Sequence, residues 1–377
     1  FVVGLGDRGL AYSEGHRVGP GWEMLDAGMA VESADAWLVP RLFGAPYLRK
    51  PPGMSWAIAA TSGLLGTTEF AARLPSALAM VALVLVSWRV TTRWLGSPWG
   101  FAAGLAQAMF PFFWSSARSA EIEMVHAAGA GCAALLIADV MMRGHGRRWP
   151  SAIGAGIAIC VMALAKGPAG VPVVLAAAIG VCVARRSVGP LARTALAWVL
   201  MVPGVVLGAT AYAVFNALDR TPGPVISQDV GEFLWDGSRL WRILTLPAAA
   251  WGSMLPASLA LLVVAWKRRE GTGLDAADVA RCLGFAWLAA IVMYTVVGVS
   301  NPRYLLPAGA LLPPVVAAVM AVMRRGVGRV LMLGSAWTWP IVLAGCFVGF
   351  LVWYLSLIHI SEPTRLRRIS YAVFCLK

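Results

Sequence analysis

Apolar residues gather in long runs near 77–93, 98–115, 124–142, 152–165, 171–184, 194–216, 246–266, 283–299, 304–322 and 330–354. A helix needs roughly 20 apolar residues to cross a bilayer, and sometimes fewer. The pattern predicts about ten spanning helices, with the short pair flanking Lys166 tilted or partly re-entrant. Residues 1–76 are different: Pro40, Pro46, Pro51, Pro52 and Gly44 break them up. That punctuation predicts turns and short pieces lying along the membrane surface. GEFLWDGSRLWRIL (Gly231–Leu244) alternates apolar and charged residues at roughly helical spacing, which predicts a second interfacial helix.

The charges orient these runs. Basic clusters follow alternate runs: Arg89 and Arg93; Arg143, Arg147 and Arg148; Arg185, Arg186 and Arg193; Lys267, Arg268 and Arg269; Arg324, Arg325 and Arg329. The positive-inside rule assigns those loops to the cytoplasm. The other connections then share the outer face: residues 1–76, Ser116–Glu123, Lys166–Gly170, 217–245 and Ser300–Arg303. Glu14, Glu121, Glu123, Asp229, Glu232 and Asp236 collect there.

Composition narrows the class. The chain has 377 residues, 59% hydrophobic and only 13% charged. That is too apolar for a soluble protein of this length. The net charge of +13 is spread over loops between apolar spans, so it reads as membrane orientation and not as a nucleic-acid surface. The six cysteines show no CxxC spacing, and the four histidines are dispersed. No metal site is therefore indicated, and a divalent cation stays open only as a possibility of the chemistry. The start at Phe1 reads like the end of an earlier span, with no signal peptide. Ser356–Lys377 departs from the preceding style, resembles translated adapter sequence, and is set aside from fold reasoning.

Five outer-face stretches carry candidate chemistry. YLRKPPGMSW (Tyr47–Trp56) puts Arg49 and Lys50 before two prolines that fix the backbone. Lys50 is a compact charge on a long stem, suited to a phosphate; the alternative is a cation that snorkels to head groups. SEGHR (Ser13–Arg17) holds Glu14 in what reads as a short polar turn, where a carboxylate could take a proton from a hydroxyl; the alternative is a solvated loop acid. ARSAEIEM (Ala117–Met124) sets Glu121 and Glu123 at a membrane edge, where ionisable groups are costly and usually functional. Being two apart on a helix, they are expected to point to different sides, with only one facing a cavity. LAKGPAG (Leu164–Gly170) and SNPRY (Ser300–Tyr304) supply the lone cations Lys166 and Arg303. Each alone reads as an interface anchor; Arg49, Lys50, Lys166 and Arg303 together, with the acids on the same face, point to an anionic substrate.

The order of these motifs resembles the ArnT-like, protein-mannosyltransferase-like membrane glycosyltransferases of the GT-C architecture. The matching stretches are WLVPRLFGAPYLRKPPGMSW (Trp37–Trp56), GTTEFAARLPSAL (Gly66–Leu78), ARSAEIEM, LAKGPAG and PRYLLP (Pro302–Pro307). The resemblance runs from about residue 8 to residue 322. It implies an all-α bundle of spanning helices under an outer interfacial layer, with residues 1–76 as the outer loop and 77–355 as the bundle. It also implies transfer of a sugar from a polyprenyl-phosphate donor to a lipid, glycan or protein acceptor, with inversion, at the outer face of a bacterial inner membrane.

Site roles follow the matching positions. The family's early acidic pair falls on Ser13 and Glu14, so this chain keeps only the second acid, and Glu14 is expected to be the catalytic carboxylate. The family's second acid falls on Glu123. Its phosphate lysine falls on Lys50, with Arg49, Arg303, Lys166 and Arg17 as further donor-binding cations. Met29–Asp35 reads as a small insertion. Two other readings stay open: a flippase or transporter of lipid-linked sugar, whose one in-span acid would be Asp139, and a non-catalytic lipid-phosphate binder.

Overall fold

The computed structural model describes residues 2–29, 35–47, 50–143, 148–218, 275–297 and 302–323. Arg49, the runs at 246–266 and 330–354, the segment Gly231–Leu244 and the tail 356–377 lie outside the described residues. Nearly all the described chain belongs to one compact unit, Phe1–Ala321; of a second unit, Val322–Lys377, only Val322 and Met323 are described.

The elements are α1 (Tyr12–Met29), α2 (Asp35–Leu38), a hairpin of β1 (Arg41–Leu42) and β2 (Ala45–Pro46), α3 (Gly53–Leu65), α4 (Glu69–Leu95), α5 (Ser97–Met109) and α6 (Pro111–Ala117). Then come α7 (Ile122–Met142), α8 (Trp149–Lys166), α9 (Val171–Arg185), α10 (Gly189–Arg193), α11 (Ala195–Leu218), α12 (Ala276–Val297), α13 (Leu306–Gly309) and α14 (Leu312–Met323). The all-α, multi-pass reading holds. Five described stretches are long and apolar enough to cross a membrane, and a sixth counts if the bent pair Arg303–Gly309 and Leu312–Val322 is one span.

The bundle is built around α7, of which nearly every residue is buried. Helix α8 runs antiparallel to it: Gly129 lies against Ala158 and Met162, and Gly154 against Leu136. The chain then reverses. Gly167 takes φ +70°, a region costly for side chains with a Cβ, and ends α8 just after Lys166. Helix α9 returns, with Gly170 beside Ala130 of α7 and Gly180 against Cys282 and Ala286 of α12. Lys166 thus sits at a bend between two apolar helices, as its surroundings in the sequence predict. At Gly156 and Gly204, α8 and α11 come into backbone contact, which lets dispersion do the work that water cannot do inside a bilayer.

Residues ahead of α4 are more helical than the punctuation predicts. The run containing Gly15, Gly19, Pro20 and Gly21 forms one 18-residue helix. The small residues serve packing: Gly21 lets α1 settle on Ile58 and the Ser55 carbonyl of α3, and Gly19 faces Leu42 of the hairpin. Val18, Met54, Ile58, Ala72, Ala120 and Ile122 close a core between this layer and the spanning helices. Glu14 accordingly lies in the first turn of α1, not in a free polar turn.

Candidate active site

Helix starts and stops bring the polar residues to one end of the bundle. Thr68 caps α4, accepting from the Ala71 N–H, and Glu69 lies in its first turn. Glu121 is the N-cap of α7 with φ −114° and ψ 156°, and Glu123 stands in the first turn. The expectation that the two acids point to different sides rests on both being helical, and they are not. Glu121 is extended, not helical, so both carboxylates turn toward Arg303: 3.9 Å from Glu121 Oε2 and 4.0 Å from Glu123 Oε1.

Glu123 is tied further. Lys166 Nζ donates to its Oε1 at 3.2 Å and lies 3.7 Å from the centre of the Tyr304 ring. Lys166 is therefore held by an acid and by a π-face at once. Arg303 is about half exposed and reaches both acids only at the limit of an ion pair. Such loose pairs are readily exchanged for a ligand's anion. Arg17 donates to the Tyr47 hydroxyl at 3.1 Å, and its charge reaches Lys166. Lys50 follows the hairpin, is partly buried, and lies near enough for its charge to act on His126. Lys50, Arg17, Lys166, Arg303 and Glu123, all expected in one site, thus fall in one neighbourhood; Arg49 is not described.

Glu14 is placed differently. Its carboxylate is buried and accepts from Arg73 through Nε at 2.8 Å and Nη2 at 3.0 Å. The backbone N–H groups of Ala11 and Ala120 donate at 2.8 and 2.9 Å, and Arg8 adds a contact at 3.3 Å. Burial pushes this carboxyl up, but the Arg73 and backbone hydrogen bonds outweigh it and hold the pKa at about 2, below the usual 4.5. A carboxylate with both oxygens engaged and so weak an affinity for protons is poorly suited to be a general base. The expectation that Glu14 takes the proton therefore meets a physical obstacle.

Two contributors, Arg73 and Tyr304, escape sequence reasoning. Arg73 is wholly buried and also donates to the carbonyls of Leu5, Arg8 and Gly9. Its signal was available: a lone cation at the head of an apolar run. Tyr304 carries no charge to mark it. His126, one turn beyond Glu123, is buried with no hydrogen-bond partner at Nε2. Among the described residues no three His, Cys, Asp or Glu side chains are placed to share a metal ion.

At the other end of α7, Asp139 is closed off. It accepts from Trp94 Nε1 and Arg93 Nη1 at 3.1 Å each and from Ser151, and it pairs with Arg143 at 3.0 Å. A carrier's titrating acid needs access to a proton path, and this acid is wholly buried among cations and donors.

Residues 49–213 match the model of the dolichyl-phosphate-mannose-protein mannosyltransferase family. No curated protein matches by sequence. Two crystal structures of ArnT from Cupriavidus metallidurans share the fold. The apo form has a TM-score of 0.67 at 20% identity, and the form bound to undecaprenyl phosphate 0.70 at 22%. Each comparison covers 92% of this chain and 61% of that one, so the chain spans about three fifths of those relatives. The chain is thus a multi-pass membrane protein that shares the fold of these ArnT structures, and over residues 49–213 it is similar to the mannosyltransferase family.

Proposed function

We propose that the chain moves a sugar from a polyprenyl-phosphate donor to a lipid, glycan or protein acceptor, with inversion at the anomeric carbon. The observation that carries this is the gathering of Lys50, Arg17, Lys166 and Arg303 with Glu121 and Glu123 at one end of a GT-C fold. That end lies opposite Arg93 and Arg143, which the positive-inside rule assigns to the cytoplasm. The site then faces the exterior, which in a bacterial inner membrane is the periplasm. Arg49 precedes Lys50 in the sequence and is proposed to join the same cation set.

The chemistry follows from charge. When the glycosidic bond breaks, its electron pair leaves on the lipid phosphate, and a nearby ammonium stabilises that charge without reorganising. Lys50 holds the phosphate and Arg303 assists from the acid side. Glu123, held by Lys166, orients the acceptor. A single displacement by the acceptor hydroxyl inverts the centre. Membranes carrying the chain are given undecaprenyl-phosphate sugars labelled in the sugar. Label is expected to leave the carrier, and Lys50→Ala to weaken carrier binding at least tenfold. A chain that binds undecaprenyl phosphate through Lys50 and never consumes a donor would be a binder or flippase, and the transferase reading would fall.

A further inference from the structure

We propose that Glu121 is the carboxylate that takes the acceptor's proton, with Ser13 and Arg303 holding it in place, while Glu14 is a structural brace. This rests on the transfer reaction proposed above.

Three acids stand near the cations, and their surroundings sort them. The Glu14 side chain is 1% exposed, with both oxygens engaged. The Glu123 side chain is 10% exposed and gives Oε1 to Lys166. The Glu121 side chain is 23% exposed. Its Oε1 accepts from the Ser13 hydroxyl at 2.7 Å, and its Oε2 has only the loose approach of Arg303. Of the three, Glu121 alone combines a fixed geometry with an oxygen that substrate can reach. Its backbone is fixed as well, since its carbonyl accepts from Ser76 of α4.

Ser13 explains the arrangement. The resemblance expects an acid at this position, and the chain has a hydroxyl. That hydroxyl does not leave the place without charge, because it binds the Glu121 carboxylate at the start of α7. The sequence thus carries at Glu121 a negative charge that Ser13 cannot supply. A second polar group stands beside the same cations. The buried Nε2 of His126, one turn below Glu123 and within reach of the charges of Lys166 and Lys50, has no partner within the protein.

The step balances. The acceptor oxygen forms a bond to the anomeric carbon, the bond from that carbon to the phosphate oxygen breaks, and its electron pair leaves with the lipid phosphate. The hydroxyl proton passes to Glu121 Oε2 and then to water.

The test uses the full chain in membranes with sugar-labelled undecaprenyl-phosphate donors, beside binding of undecaprenyl phosphate alone. Glu121→Gln is expected to slow transfer about a hundredfold or more, with carrier binding within twofold of the parent chain. Adding Ser13→Asp to Glu121→Gln returns a carboxylate to the same spot, and is expected to recover at least tenfold. If the parent chain transfers and Glu121→Gln keeps its rate within threefold, Glu121 is not the base and the transferase reading survives. If the rescue fails while the single variant binds carrier and is slow, the shared position of Ser13 and Glu121 is wrong. If the parent binds carrier but transfers nothing, the reaction itself is wrong and this proposal falls with it.

Discussion

Glu14→Gln and Arg73→Met separate a structural carboxylate from a catalytic one. The carboxyl of Glu14 moves from 4.5 in an open chain to about 2 in the fold. At about 1.36 kcal/mol for each tenfold change in proton affinity, that favours the folded state by roughly 3 kcal/mol. Because the folded group binds its proton less tightly, this stability is complete above about pH 4.5 and is lost as pH falls toward 2. Removing Arg73 leaves the buried carboxylate with only the longer contact to the exposed Arg8 and strips donors from the Leu5, Arg8 and Gly9 carbonyls. Breaking a buried pair in this way typically costs about 3–5 kcal/mol. The effect should be local, loosening residues 2–15 from the top of α4. Hydrogen exchange in nanodiscs at a single neutral pH reads it: amides of this segment should exchange about a hundredfold faster in Arg73→Met. The double variant should be far less damaged than the two single costs added together, since neither charge is then left alone. Exchange and melting unchanged in Glu14→Gln, together with a collapse of transfer, would refute the reasoning and return Glu14 to the role of base.

Two further outcomes follow from the packing. Asp139→Asn removes the charge that holds Arg93 and Arg143 together, and should cost about 2–4 kcal/mol in thermal or denaturant unfolding, while transfer per folded molecule stays as in the parent because the cluster lies at the opposite end of α7 from Glu123. Gly204→Val drives a side chain into the Gly156 backbone, and should lower stability by at least about 1–3 kcal/mol in the same measurement.

Much of the site was legible because its parts are charges in apolar surroundings. Lys166 and Arg303 stand alone between hydrophobic runs, and a lone cation at a membrane edge needs a partner; both found Glu123. What the sequence hid is a matter of backbone and burial. Spacing of two residues reads as opposite helix faces only if both residues are helical, and Glu121 is one residue short of its helix. Residues 1–76 read as turns and short pieces, yet the small residues Gly19 and Gly21, set against Leu42 and Ile58, are what the close contact of α1 requires. The role of Arg73 was hidden because nothing in the local sequence shows that Leu5, Arg8, Gly9 and Glu14 will return to it.

The three acids of this end show why residue type alone does not assign a proton acceptor. Glu14, Glu121 and Glu123 are chemically the same, and a motif reading favours the first and the third. Their partners divide them. A guanidinium buried with Glu14 makes it a tie between the amino-terminal layer and α4. An ammonium beside Glu123 makes it an electrostatic anchor for Lys166. A neutral hydroxyl beside Glu121 fixes its direction without quenching its charge, and leaves one oxygen to a half-exposed arginine. A base needs a set position, a retained charge and access for the group that gives up the proton. Pairing with a strong cation supplies the first at the expense of the other two. The hydrogen bond from Ser13 supplies the first and keeps both of the others, and on that difference Glu121 is the acid best placed to act.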